Sequence, residues 1–321
     1  MRAAALRFPL VGPGGEPVDL WRTVVSHGMS DLPPFDVDEA ARTVRVTLRV
    51  EGLGPRTVTV SVDPDEPGVA VVGVTGSRRS RPPTGRDAER VVDAVRHLLR
   101  MDEDLSGFYA RIAGDPALAW AAAGAGRMIR SQTVFEDVVK TICTTNCTWS
   151  ATQRMVRGLV AELGDPAPGA PAEGWLGRTF PTPSAMASAD EGFYRAVVRA
   201  GYRGAYLIAL ARSVADGSVD LDTLAPSAPV PLSDDEVERA LLALPGVGPY
   251  AAAHVMMTLG RHSRLILDSW TRPTYARLAG RKQPPSDAAI RRRFARYREH
   301  AGLAFWLFLT KDWVAEAPPE I

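Results

Sequence analysis

The sequence predicts a mainly α-helical protein fronted by an N-terminal antiparallel α+β domain, and three observations carry that prediction. Residues 43–74 hold three short runs of alternating apolar and polar residues separated by turns. From about residue 105 onward the apolar period is helical, and no further convincing strand occurs. The length, 321 residues, supplies two or three domains with proper cores. Expected boundaries are 1–104 for the sheet and its helix, 105–232 for a helical domain, and 233–321 for a helical hairpin with the C-terminal helices, the last two packing around a cleft.

The first strand is 43–50, where Val44, Val46, Leu48 and Val50 share one face and Arg45, Thr47 and Arg49 the other. Gly52–Pro55 turns the chain into a second alternating run, 57–62, and Asp63–Gly68 turns it into a third, 69–74. The Arg/Pro-rich segment 77–86 reads as a surface loop, followed by a helix from Asp87 that puts Val91, Val95, Leu98 and Leu99 on one face. Helices are expected at 133–143 and 151–163 with a loop between them, then, after a Pro/Ala/Gly-rich connection, at about 186–199 and 203–215. Pro226, Pro229 and Pro231 form a stiff linker into Ser233-Asp234-Asp235-Glu236, where Ser233 and Glu236 have capping-box spacing and Val237, Leu241 and Leu244 make the buried stripe.

Composition excludes several classes of function. Lys+Arg 38 against Asp+Glu 37 leave a formal +1, so a polybasic mode of nucleic-acid binding is ruled out while a local basic face is not. Two cysteines, Cys143 and Cys147, cannot build a disulfide framework, an iron–sulfur cluster or a structural zinc site, and the five histidines show no zinc-ligand spacing, so no cofactor is expected. Arg7 and Pro9 interrupt the N-terminus before a signal-peptide core accumulates, and the longest apolar stretch, near 117–125, is too short for a bilayer. A soluble, cytoplasmic monomer without a membrane partner is expected. Only Lys140, Lys282 and Lys311 are lysines, which leaves amine chemistry few places to reside.

The informative stretch is Leu244-Pro245-Gly246-Val247-Gly248-Pro249-Tyr250-Ala251-Ala252-Ala253. Pro245 stops one helix, Gly246 and Gly248 permit a tight reversal, and Pro249 suits the first turn of the next. A helix-hairpin-helix results, whose free backbone N–H groups are donors for a phosphate and need no net positive charge. Twenty residues beyond Gly248, Asp268 follows an apolar approach and precedes a helix. An aspartate there caps the helix, and capping holds a carboxylate rigid, as is needed to stabilise an oxocarbenium ion or orient a water.

This hairpin with its downstream aspartate resembles the helix-hairpin-helix superfamily of base-excision DNA glycosylases, in particular the branch containing the alkyladenine glycosylase AlkA and 8-oxoguanine glycosylase. The resemblance extends to Thr141-Ile142-Cys143-Thr144-Thr145-Asn146, to Gly201-Tyr202-Arg203-Gly204-Ala205-Tyr206, to Phe180-Pro181-Thr182-Pro183 and to the aromatic helix around Phe305–Trp313, covering about residues 105–315. It implies the helix-hairpin-helix glycosylase fold and, as partner, double-stranded DNA with a damaged base that is extruded before its N-glycosidic bond is cut. Asp268 matches the catalytic carboxylate, and Leu244, Pro245, Gly246, Val247, Gly248 and Tyr250 match the hairpin that anchors the DNA backbone. Bifunctional members carry a lysine where this chain has Tyr250, and no lysine occurs in 141–281, so a monofunctional enzyme that leaves an abasic site is expected. Lys140 is the remaining candidate for lyase chemistry, against its reading as a solvated or phosphate-contacting residue.

His254 stands where 8-oxoguanine enzymes have a cysteine and Phe305 where they have a glutamine. A pocket of Tyr250, His254, Trp270, Phe305 and Trp306 suits alkylated purines such as 3-methyladenine, whose positive charge favours stacking. Asn146 and Tyr202 carry over as duplex-probing residues, Trp149 is a rival wedge because a wedge needs bulk on a short loop, and Arg203 is a phosphate contact. The run Arg291–Arg298 reads as a solvated helix face rather than as a DNA groove, its alternative. The metal familiar in this fold is a monovalent cation, Na or K, on hairpin carbonyls, with no side-chain ligands. An oxidised-purine glycosylase and a non-catalytic lesion-binding protein are the rival functions.

Overall fold

In the computed structural model, which describes residues 6–75 and 83–313, the alternating runs become the three central strands of a five-stranded antiparallel sheet. The strands are β1 (Leu6–Pro9), β2 (Phe35–Asp38), β3 (Thr43–Val50), β4 (Gly54–Val62) and β5 (Val69–Thr75), in the order β1-β5-β4-β3-β2. Val44 pairs with Val60 and Val60 with Val72, so one face carries a continuous valine row. The edge strands β1 and β2 add to the expected three. Each is four residues long and buries one side chain, Phe8 or Phe35, which is too little for alternation to register.

The helices are α1 (Leu20–Val24), α2 (Arg86–Leu98), α3 (Ser106–Ile112), α4 (Val134–Thr144), α5 (Trp149–Leu163), α6 (Pro183–Ser188), α7 (Glu191–Ala196), α8 (Arg203–Ala215), α9 (Asp234–Leu242), α10 (Pro249–Thr258), α11 (Thr271–Leu278), α12 (Asp287–Phe294) and α13 (Ala301–Thr310). The capping box at α9 is formed, Ser233 Oγ accepting from the Glu236 amide and Glu236 Oε2 from the Ser233 amide. Most of the Arg/Pro-rich segment expected as a loop lies outside the described residues. No helix among the described residues is long and apolar enough to cross a membrane.

Three hydrophobic cores organise the chain. One lies between the sheet and α2, where Val91, Val95, Leu98 and Leu99 are buried as their spacing predicts. A second is built by α4, α5, α8, α9 and the inner face of α10. The third joins residues 105–128 to residues 253–309, so α3 packs with the last helices rather than with α4 and α5, which follow it in sequence. Long-range polar pins tie these bodies together. The Trp306 indole donates to the Ser26 carbonyl at 2.8 Å, and the fully buried Arg127 pairs with Glu16 and donates Nε–H to the Arg100 carbonyl at 3.2 Å.

Lys140 is neither solvated nor at a DNA-facing surface. It is completely buried in α4, with its ammonium 2.7 Å from Glu136 and 4.8 Å from the centre of the Phe35 ring. Burial is the largest influence on the Glu136 carboxyl and pushes its pKa up, with Lys140 opposing. The two opposite charges lie together within one helix turn, the pairing that makes a buried charge tolerable.

Candidate active site

A cleft of about 1040 Å³ lies among the helical segments. One wall is the turn from α4 to α5, the other is the hairpin joining α9 to α10, and Asp268 stands at its margin. The hairpin forms because Leu244 and Val247 are both buried and draw the reversal onto the core, leaving Gly248 exposed. Gly246 adopts φ +78°, and a Cβ there would lie 2.8 Å from the Tyr206 ring, so both backbone and packing require glycine. At Gly248 a Cβ would meet nothing within 4 Å, and the approach to the start of α10 is open. Pro249 takes the first helical position, and the amides of Tyr250 and Ala251 that follow have no intrahelical partner, whereas that of Ala252 donates to the Gly248 carbonyl.

Asp268 is fixed by a reciprocal set of bonds. Its Oδ1 accepts from the amides of Trp270 at 2.8 Å and Thr271 at 2.6 Å, and its own amide donates to Thr271 Oγ1 at 2.8 Å. Among the described residues nothing donates to Oδ2, so one carboxylate oxygen is committed to the entry of α11 and the other is available to the cleft. Tyr250 stands across from it, half-buried, with its hydroxyl 3.3 Å from Thr144 Oγ1. Burial, with a smaller contribution from the Asp268 charge, raises the Tyr250 phenol above its ordinary pKa.

Of the five expected pocket residues, Tyr250 alone lines the open cleft. Behind it runs a file of rings. Tyr250 lies 5.8 Å from His254, His254 6.4 Å from Trp306, and Trp306 5.8 Å from Trp270, which is partly exposed beside Asp268. His254 is buried with both ring nitrogens unpartnered, and burial drives its pKa down to about 4 against the raising influence of Asp268. Phe305 does not belong to this group. It is completely buried on the far side of α13, packed against Phe294 at 5.2 Å and Tyr275 at 6.1 Å, because α13 is apolar on every face and presents Trp306, not Phe305, to His254.

The expected probing residues divide as sharply. Asn146, in the left-handed region at φ 47°, donates its amide to the Tyr202 hydroxyl at 3.3 Å, and both residues line the cleft. That bond is the main cause of a lowered Tyr202 pKa. Tyr202 is 55% exposed, a large aromatic held out from the surface. Arg203 faces inward and is not available to a phosphate. Its Nε donates to the Thr145 carbonyl at 3.0 Å while its guanidinium lies 4.6 Å from the Tyr202 ring centre, so it braces the loop and the tyrosine together. Trp149 is no wedge on a free loop. Thr148 caps α5, which starts two residues earlier than expected, and the Trp149 ring lies over Gly28, away from the cleft lining. Along Arg291–Arg298 every arginine is exposed, with Arg293 stacked over Phe308 at 4.7 Å.

Thr144, Cys147, Tyr206 and Ser269 also line the cleft and were not singled out from the sequence. Tyr206 had a usable signal, since it lies four residues after Tyr202 and therefore on the same helical face.

The buried imidazoles make stability dependent on pH. His254 at about 4 and His27 at about 3, the latter lowered by burial and then by the neighbouring His254, both lie below the ordinary 6.5. Between those values the unfolded chain binds protons that the native chain does not, so stability present above pH 6.5 is lost as the pH falls toward 4. The Tm of His254→Phe is therefore expected to rise relative to that of the unsubstituted chain over this interval, followed by circular dichroism. A Tm difference constant from pH 7 to 4 would contradict it.

No protein-family model matches the chain, and no curated protein matches it. Solved structures do share its fold. A 3-methyladenine DNA glycosylase from Archaeoglobus fulgidus superposes with a TM-score of 0.70 at 20% identity, covering 97% of this chain and 99% of that one. MBOgg1, solved in complex with a low-affinity DNA ligand, gives 0.70 at 18% identity with 96% of each chain covered. An 8-oxoguanine glycosylase/lyase from Clostridium acetobutylicum gives 0.63 at 18% identity, covering 88% and 92%. The chain thus has the mainly α, sheet-fronted fold of the helix-hairpin-helix DNA glycosylases.

Proposed function

We propose that this chain, built on that glycosylase fold, is a monofunctional DNA glycosylase that removes a damaged base, with alkylated purines such as 3-methyladenine as preferred substrates. The observation that carries the reading is the placement of Asp268, clamped through Oδ1 and open through Oδ2, at the margin of the cleft walled by the hairpin.

Duplex backbone would rest on the amides at the start of α10, with Tyr202 and Asn146 entering the helix where the nucleotide leaves. In the cleft, Asp268 Oδ2 stabilises positive charge on the sugar as the C1′–N bond breaks and its electron pair departs with the base. A water then forms the C1′–O bond and gives up its proton to the Asp268 carboxylate, which releases it to solvent, leaving an abasic site. A purine already carrying an alkyl group and a positive charge leaves without needing protonation, and Tyr250, the one ring of the file that lines the cleft, offers it a π-face backed by His254, Trp306 and Trp270. The neutral state of His254 avoids repelling that cation. The cleft contains no lysine, and the amine of Lys140 is buried against Glu136, which supports hydrolysis by water over Schiff-base chemistry. A structural monovalent cation fits this hairpin only through backbone oxygens. The Leu244 and Gly248 carbonyls accept from Val247 and Ala252, which leaves Pro245, Gly246 and Val247 to hold it.

The test is base release from duplexes carrying 3-methyladenine, 7-methylguanine, hypoxanthine, uracil or 8-oxoguanine, with and without alkali. Release of an alkylated purine, with strand cleavage only after alkali, is expected. Release of 8-oxoguanine alone would transfer the chain to oxidised-purine repair, and binding without release would make it a lesion-binding protein.

A further inference from the structure

A second groove, on another flank of α10, has no part in that reaction. It has a volume of about 590 Å³ and is lined by Pro249, Ala253, Arg264 and Leu265 on one side and by Arg291 and Arg298 on the other. Arg264 is neutralised, its Nε 2.7 Å from Glu238 and a terminal nitrogen paired with Asp235. Arg291 and Arg298 are exposed and make no ion pair within 4 Å among the described residues. Glu238 also lines the groove, and with Asp235 it matches Arg264, so Arg291 and Arg298 leave the groove a small excess of positive charge.

The groove is held at fixed width. The Gly302 amide, at the start of α13, donates to the His262 carbonyl at 2.7 Å, and a Cβ on Gly302 would fall 2.0 Å from the Arg264 carbonyl oxygen. Glycine at that position lets the two walls touch. Arg298 sits at φ 54°, ψ −124° in the turn between α12 and α13, a left-handed conformation that persists where the surroundings impose it.

Pro249 lines both this groove and the cleft of Asp268. Pro249 therefore places this groove next to the amides on which the proposed DNA backbone rests. We propose that Arg291 and Arg298 bind two further phosphates of that same DNA, extending the backbone track beyond the hairpin. The inference rests on the DNA-binding reading above. Guanidinium groups suit the task because their planar donors match phosphate oxygens in pairs.

The experiment is fluorescence anisotropy of an undamaged labelled duplex with the full chain and with Arg291→Ala/Arg298→Ala, at salt concentrations from 50 to 200 mM. Both side chains are exposed, so the variant is expected to keep its Tm. Each lost phosphate contact makes the slope of log K against log salt shallower by about 0.9, so the double variant should be shallower by roughly 1.8. The affinity gap between the two proteins should then narrow roughly tenfold across that range. Arg291→Lys/Arg298→Lys should keep most of the original slope. An unchanged slope in the alanine variant, alone or with lost binding of a polyglutamate peptide, overturns the assignment while leaving the hairpin reading intact. Failure of the unsubstituted chain to bind duplex at all overturns both.

Discussion

Asp268→Asn is expected to slow single-turnover base release by roughly a hundredfold or more while leaving duplex affinity nearly unchanged, by analogy with the loss of one preorganised electrostatic group. Asparagine keeps an acceptor oxygen for the Trp270 and Thr271 amides, so the entry of α11 survives while the charge offered through Oδ2 is lost. Asp268→Ala should be worse in a second, separable way. It also removes the cap, which costs about 1 kcal/mol of stability and appears as a lower Tm. If Asp268→Asn released base at the rate of the unsubstituted chain, the carboxylate would have no part in the chemistry, whatever its position beside the cleft.

Lys140→Ala is expected to destabilise the fold by about 3–5 kcal/mol, because it leaves Glu136 buried without its partner. Denaturant unfolding of the pair Lys140→Ala and Glu136→Gln/Lys140→Met checks this, since the double substitution removes both charges and should recover most of the loss. The same double variant addresses chemistry. It should release base with undiminished rate and alkali dependence, and borohydride should trap no DNA adduct with it or with the unsubstituted chain. An adduct formed by the unsubstituted chain and lost in the double variant would return Lys140 to the reaction, against its placement in the core of α4.

The parts of the molecule that were legible from sequence are those governed by local rules. Strict alternation locates β3 to β5, and the Ser233–Glu236 spacing places the start of α9. The Leu-Pro-Gly-Val-Gly run yields the hairpin because proline and glycine act on the backbone wherever they occur. Side-chain direction was less accessible. Arg203 is long enough to reach a phosphate outside or the Thr145 carbonyl inside, and nothing local decides between them. In α13 all ten residues are buried, so no polar face reveals which aromatic turns toward His254. Lys140 misled because lysine is rarely buried, and its partner Glu136 is visible in sequence only as an ordinary i, i+4 pair. Trp149 was displaced by one hydroxyl, since capping by Thr148 turns the expected loop residue into the first residue of α5.

The bond from the Trp306 indole to the Ser26 carbonyl spans 280 residues of chain, and it braces the ring file that lies behind Tyr250. A ribosome adding about 5–20 residues per second takes roughly 15–60 s to make that much polypeptide. For that interval the nascent chain already holds its sheet, and later its hairpin, without the tryptophan that backs His254. The wall of rings is thus among the last parts of the protein to be assembled, completed only when α13 leaves the exit tunnel and meets a partner synthesised at the beginning. A chain stopped short of Trp306 would contain Asp268, the hairpin and Tyr250 and still lack the ring that backs His254 behind the tyrosine.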